Sequence, residues 1–205
     1  MKGNYNMILL SIETVADSTT QWFMPKIEAD SRLKDPEKVA ASLKEKSSKQ
    51  LKDMKYSPYT AELLFASLYD TDTKESSFLY SSNEKELIKE VIEHIKDKEV
   101  CTYCSWEIEF IFKRAIVNGL ASYHDLLAWR KKFKDNTSID LKRVFEFFSN
   151  DTSFNLLAGA YAGEQIEDFE DTQVLVNEDD TPSTYVKEYA EKKMNILKKI
   201  YEKIS

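Results

Sequence analysis

Ile8-Leu9-Leu10-Ser11-Ile12-Glu13-Thr14 is the stretch on which the reading of this chain turns. Its apolar run has no alternation and is bounded by Met7 and Ile12. That pattern predicts a fully buried strand over Met7 to Ile12. The strand then delivers a carboxylate, Glu13, at its tip, with the uncharged Ser11 two residues before it. Read alone, such a carboxylate caps a neighbouring helix or pairs at the surface. Read with partners elsewhere in the chain, it belongs to a site.

Working outward, residues 18 to 35 show no clean period, although they hold Trp22, Phe23 and Pro25. Asp35-Pro36 opens a helix, with proline in the first turn where its missing N–H costs nothing. The helix runs from Glu37 to about Met54 on a thin apolar stripe of Val39, Leu43 and Leu51, and Ser57-Pro58 ends it. Leu63 to Tyr69 and Ser76 to Tyr80 read as a hairpin joined by the polar stretch 70–74. Asn83 with Glu86 is a cap signature, followed by the helical face Leu87, Val91 and Ile95. Val100 to Tyr103 is a short strand. Glu107 to Asn118 is a helix stopped by Gly119, and Tyr123 to Phe133 is another. Ser138 to Leu141 is a strand leading into the helix Lys142 to Phe148. Residues 164 to 182 are acidic and irregular, and a last helix begins near Thr184. Strands alternating with helices imply an α/β domain with a mixed sheet.

Composition narrows the function classes. The 205 residues suit one domain, and 42% hydrophobic content argues against disorder. A net charge of −7 excludes strong non-specific nucleic-acid binding through bulk charge, though not a local basic patch. Cys101 and Cys104 form one C-x-x-C, and the only histidines are His94 and His124. One cysteine pair cannot by itself make a four-ligand zinc site, and the two histidines are all the chain could add to it. It reads as two reduced thiols, with a redox motif as the other possibility, and points to a cytoplasmic protein. No signal peptide and no run of ~18 apolar residues is present, which predicts a soluble chain with no membrane partner.

In the last helix, Val186, Ala190, Leu197, Ile200 and Ile204 share a face on which Lys193 also falls. Either its stem covers apolar surface while its head reaches water, or it meets a carboxylate inside the domain. Tyr189 lies one turn before it. The densest basic run, Arg130-Lys131-Lys132-Phe133-Lys134, is interleaved with Trp129 and Phe133. Such interleaving suits single-strand stacking, but two aromatics four apart also form a core edge with a solvated basic face.

Three segments together resemble the DEDD superfamily of 3'-5' exonucleases, in the tyrosine-containing branch related to the proofreading domains of family B DNA polymerases. Ile8-Leu9-Leu10-Ser11-Ile12-Glu13-Thr14 is similar to its strand ending in Asp-x-Glu-Thr. Trp106-Glu107-Ile108-Glu109-Phe110-Ile111-Phe112-Lys113-Arg114-Ala115 is similar to its Phe-Asp motif opening a helix that ends in Arg-Ala. Tyr189-Ala190-Glu191-Lys192-Lys193 is similar to its Tyr-x-x-x-Asp. The lysine-rich helix after Asp35-Pro36 resembles an insertion carried by small stand-alone bacterial and phage members. The resemblance spans nearly the whole chain. It implies one ribonuclease-H-like domain over 1–205, an α/β fold with a five-stranded mixed sheet flanked by helices. It also implies a helical insertion at about 18–60 and an irregular loop at about 164–182.

The same resemblance implies which chemistry has been lost. The family holds two Mg²⁺ or Mn²⁺ ions on four carboxylates; one ion generates the attacking hydroxide and the other stabilises the leaving oxygen. Here Glu13 is retained, Glu107 replaces an Asp with a longer arm, and Tyr189 is retained. Ser11 stands at the bridging Asp, and Lys193 at the last Asp. Tyr103, Cys104 and Ser105 stand where the family has an asparagine. Glu13 and Glu107 are thus the remaining metal ligands, weak ones. Two like or unlike charges near each other in a partly buried site interact by ~4 kcal/mol at an effective dielectric of 20. An ammonium there opposes divalent cations, and Lys193 is expected near Glu13, Glu107 or both. The implied function is a degenerate exonuclease-like domain, a pseudoenzyme, binding a single-stranded DNA or RNA end or a protein partner. It binds no cofactor tightly, with Mg²⁺ or Mn²⁺ required if it is active. The nucleic-acid-binding candidates are Thr14, Trp106, Arg130, Lys131 and Lys132. Two other readings stay open. One is an active metal-dependent 3'-5' exonuclease with non-standard ligands, for which Asp17, Asp140 or Glu191 would rebuild the site. The other is an α/β interaction scaffold with no nucleic-acid role.

Overall fold

A computed structural model of the chain describes residues 7–17, 19–20, 24–134, 138–146, 153–170 and 175–205, with the side chains of residues 132–134 excepted. Of the features read from the sequence, Trp22, Phe23, residues 147–148 and residues 171–174 lie outside the described residues, as do the Lys132 and Phe133 side chains. The chain forms two compact units. One comprises the residues up to Glu13 together with Leu63–Ser205, the other Thr14–Glu62.

A five-stranded mixed sheet organises the larger unit, in the order β3-β2-β1-β4-β5. Strand β1 is Met7–Ala16, β2 Ala61–Asp70, β3 Ser76–Leu79, β4 Glu99–Thr102 and β5 Ser138–Asp140. The apolar run makes β1 the central strand: residues 7–12 are all buried, as two covered faces require. It extends four residues beyond the expected end at Ile12. β1, β4 and β5 are mutually parallel, with Leu9 opposite Cys101 and Cys101 opposite Ile139. β2 and β3 form an antiparallel hairpin in which Ser67 faces Phe78. The polar stretch between them turns because Asp70 Oδ1 accepts the Asp72 N–H at 2.8 Å and the Thr73 N–H at 3.2 Å. Lys74 completes the turn with φ of 64°.

Helices cover the sheet: α2 Glu84–Ile95, α3 Trp106–Val117, α4 Tyr123–Lys134, α5 Leu141–Glu146, α6 Phe154–Leu157 and α7 Thr184–Ile204. Asn83 Oδ1 caps α2 through the Lys85 N–H at 3.1 Å. Gly119, at φ of 66°, lets the chain leave α3. Of the stripe read from the sequence, α7 buries Val186, Ala190, Leu197 and Ile200 and leaves Ile204 partly buried, and it adds Met194 and Ile196. Met194, Ile196, Leu197 and Ile200 join Leu9, Cys101, Phe145 and Leu157 in one core. α6 and the π-helical turn Ala158–Ala162 that continues it were not anticipated. Ala158-Gly159-Ala160 carries too little apolar pattern to signal a helix. Yet Leu157 and Ala158 are buried in the core that α7 shares. The irregular acidic stretch has no regular structure over 164–170, and one isolated bridge links Val176 to Pro182.

The smaller unit holds α1, Pro36–Met54. Asp35 Oδ1 accepts the Glu37 N–H at 2.9 Å, and Pro36 sits in the first turn. Of α1 only Met54 is buried. Lys46 Nζ donates to the Glu28 carbonyl at 2.7 Å and Gln50 Nε2 to the Pro25 carbonyl at 2.8 Å, so a helix with a thin apolar stripe holds the preceding segment by polar contacts. No helix among the described residues is long and apolar enough to cross a membrane.

Candidate functional site

The end of β1's buried run at Ile12 and Glu13, the first turn of α3 and the middle of α7 meet in the larger unit. Lys193 Nζ lies 2.5 Å from Glu13 Oε1 and donates to the Ile12 carbonyl at 3.2 Å. The pair is largely shielded, with 14% and 16% of the two side chains exposed. The snorkelling reading of Lys193 therefore gives way to the carboxylate partner.

Glu107 reaches the same stretch of β1 from α3. Its Oε1 accepts the Ile12 N–H and its Oε2 the Cys104 N–H, each at 3.3 Å. It is 4% exposed. Burial pushes its carboxyl up to about 7; the Lys193 ammonium and the two N–H groups oppose that rise, and the Glu13 charge adds to it. Tyr189 donates its hydroxyl to Glu13. Burial first, and then the Glu13 charge, hold the phenol well above its ordinary range, so it stays a neutral donor. Its ring packs edge-on to Phe169, with centroids 5.0 Å apart. Ser11 is 2% exposed, and its hydroxyl has no hydrogen-bond partner among the described residues.

As a donor set for two divalent cations these groups do not fit. Hard cations need several anionic oxygens on one cavity. Glu13 is held by an ammonium and a phenol, Glu107 spends both oxygens on backbone N–H groups, and Ser11 brings no charge. Among the described residues no group of three or more His, Cys, Asp or Glu side chains could hold a metal ion. Asp17, Asp140 and Glu191, the residues expected to rebuild a site, are each placed elsewhere in the hydrogen-bond pattern or the fold. Asp140 caps α5 through the Arg143 N–H at 3.0 Å and accepts the Ser105 N–H at 2.9 Å. Asp17 belongs to the smaller unit, where its Oδ1 accepts the Thr19 N–H at 2.8 Å. Glu191 lines a groove between α7 and the β2–β3 hairpin. What the arrangement does chemically is neutralise: one ammonium compensates one carboxylate directly and lowers the cost of a second.

The nucleic-acid candidates divide between the two units. Thr14 is buried in the smaller unit and donates its hydroxyl to the Lys55 carbonyl. Trp106 is half-buried with its ring 5.2 Å from that of Phe110. Trp129 stacks on Phe112 at 4.1 Å, a core-edge contact that leaves Arg130 and Lys131 exposed on α4. The sequence reading missed a second buried ion pair. Arg114, quoted only as part of a motif, pairs with Glu84, and its Nε lies 2.8 Å from Glu84 Oε1. Glu84 also accepts the Leu63 N–H at 2.7 Å and Asn118 Nδ2 at 2.9 Å. An Arg in a helix rich in Ile and Phe was the available signal. Cys101 and Cys104 are both free, and burial pushes each thiol up, which suits inert thiols.

The fold and site thus define an α/β protein with a mixed five-stranded sheet and a charge-compensated pair at Glu13 of its central strand. No protein-family model matches the chain, and no curated protein is similar to it.

Proposed function

We propose that this protein is a catalytically impaired 3'-5' exonuclease-like domain of ribonuclease-H-like fold, which binds a single-stranded nucleic-acid end or a protein partner without cutting it. The contact between Lys193 and Glu13 carries this reading. Three segments that resemble the superfamily's motifs adjoin one another, and an ammonium sits against the first carboxylate. The two free thiols favour a reducing compartment, the cytoplasm. In this reading Lys193 supplies the positive charge that the metal ions supply in active relatives, so Mg²⁺ and Mn²⁺ bind weakly or not at all. Tyr189 and Glu13 keep the shape of the site while the ion pair removes its hydrolytic power.

The test is a labelled single strand, DNA or RNA, incubated with the protein and Mg²⁺ and then Mn²⁺. The strand is expected to stay intact in both. Digestion that Glu13→Ala abolishes would overturn the reading in favour of an active enzyme with non-standard ligands.

A further inference from the structure

A pocket of about 400 Å³ lies between α3, α4, β5 and α5. Two arginines, Arg130 and Arg143, line it. Both residues are exposed, and neither side chain has a partner among the described residues. The two carboxylates that share the pocket are differently placed. Asp140 turns its oxygens to the backbone N–H groups of Ser105 and Arg143, and Glu109 pairs with Lys113 at 3.2 Å. Both carboxylates thus have partners already, while the two arginine side chains have none among the described residues. Beneath it, Ile108 and Ile139 give an apolar floor.

We infer that this pocket binds a nucleoside monophosphate. The forked, permanently charged guanidinium matches phosphate oxygens two at a time. The apolar floor accepts a flat, weakly polar body. Glu109 and Asp140 keep lone pairs at the rim that accept hydrogen bonds from sugar hydroxyls or an exocyclic amine. The volume is in the range of small-ligand sites. A bare anion would use the arginines and leave the floor empty. The pocket is distinct from the pair of Glu13 and Lys193, and the inference stands or falls without the exonuclease reading.

Calorimetric titration with AMP, adenosine and inorganic phosphate tests it on the full-length protein. AMP is expected to bind, and adenosine and phosphate each to bind at least about tenfold more weakly. Arg130→Gln combined with Arg143→Gln is expected to weaken AMP by at least about tenfold, with an unchanged thermal melt because both side chains are exposed. Lys89→Gln, on an exposed face of α2, is expected to leave AMP binding unchanged. Absence of AMP binding at millimolar concentration would overturn the inference. So would AMP binding that survives the double substitution, or phosphate binding as tightly as AMP. A single-stranded oligonucleotide that needs both arginines while AMP does not would also overturn it, assigning the pocket to a strand instead.

Discussion

Lys193 Nζ and Glu13 Oε1 lie 2.5 Å apart, joining two residues separated by 180 positions in sequence. The same ammonium donates to the Ile12 carbonyl, so one side chain fastens α7 to the end of β1's buried run. Removing either partner leaves a shielded charge alone. Lys193→Met is expected to destabilise the protein by about 2–3 kcal/mol, below the full value for a deeply buried pair because both side chains keep some exposure. Urea denaturation measures it. Adding Glu13→Gln should restore much of the loss, giving a coupling of at least about 1 kcal/mol; independent, additive losses would contradict the pairing.

Restoring the missing acids tests the mapping of the motifs. Ser11→Asp with Lys193→Asp is expected to fold and to gain Mn²⁺ affinity over the parent protein, read by calorimetry or by the loss of free-Mn²⁺ signal in electron paramagnetic resonance. A folded double variant with no gain would argue that these positions never corresponded to a metal site.

Glu107 makes the site pH-dependent. Its carboxyl is raised from an ordinary 4.5 to about 7, so the folded state holds a proton that the unfolded state releases. Its favourable contribution is present below about 4.5 and is lost as pH rises to about 7. A carbonyl-carbon NMR titration of Glu107 should show a midpoint near 7. Lys193→Met should move that midpoint upward, because the ammonium opposes the rise. An unmoved midpoint would separate Lys193 from Glu107 electrostatically.

Glu84 holds the Leu63 backbone, Arg114 and Asn118 together, with 11% of its own side chain and 6% of the Arg114 side chain exposed. Glu84→Ala should cost about 3–5 kcal/mol by stranding the guanidinium. Hydrogen exchange at the Leu63 amide should accelerate with it. A loss below 1 kcal/mol, on the order of a surface ion pair, would show that the guanidinium finds water instead.

The hydroxyls of Ser11 and Ser67 are buried without partners among the described residues. Ser11→Ala and Ser67→Ala should each be neutral or stabilising by up to about 1 kcal/mol, since an unsatisfied buried hydroxyl is a net cost. Thermal melts decide it. A clear loss at either site would reveal a bond to an ordered water.

Much of the secondary structure was legible because it is local. The run from Met7 to Ile12, the Asp35-Pro36 start, the turn at Asp70 and the stripe of α7 are encoded within a few residues of where they act. The departures have equally physical origins. β1 continues through Glu13 to Ala16 after its apolar run has ended, because strand pairing does not require apolar side chains. The π-helical turn after Leu157 was invisible because small residues give no period. In the site, Glu13, Glu107, Tyr189 and Lys193 could be named from the chain, but Lys193 had two possible fates. Arg114 gave almost no signal of its partner.

Local signals along the chain mark most of the strands and helices, α6 and its π-helical continuation excepted, and they name the side chains that bring charge to the end of β1's buried run. Hydrophobic periodicity and capping act over three or four residues, so they can be read along the chain. Only the tertiary structure decided the strand order, the choice of Glu13 as the partner of Lys193, the turning of both Glu107 oxygens to backbone N–H groups, and the release of Arg130 and Arg143 to face one pocket. Coulomb attraction and desolvation depend on distance and burial in three dimensions, and separation along the chain fixes neither.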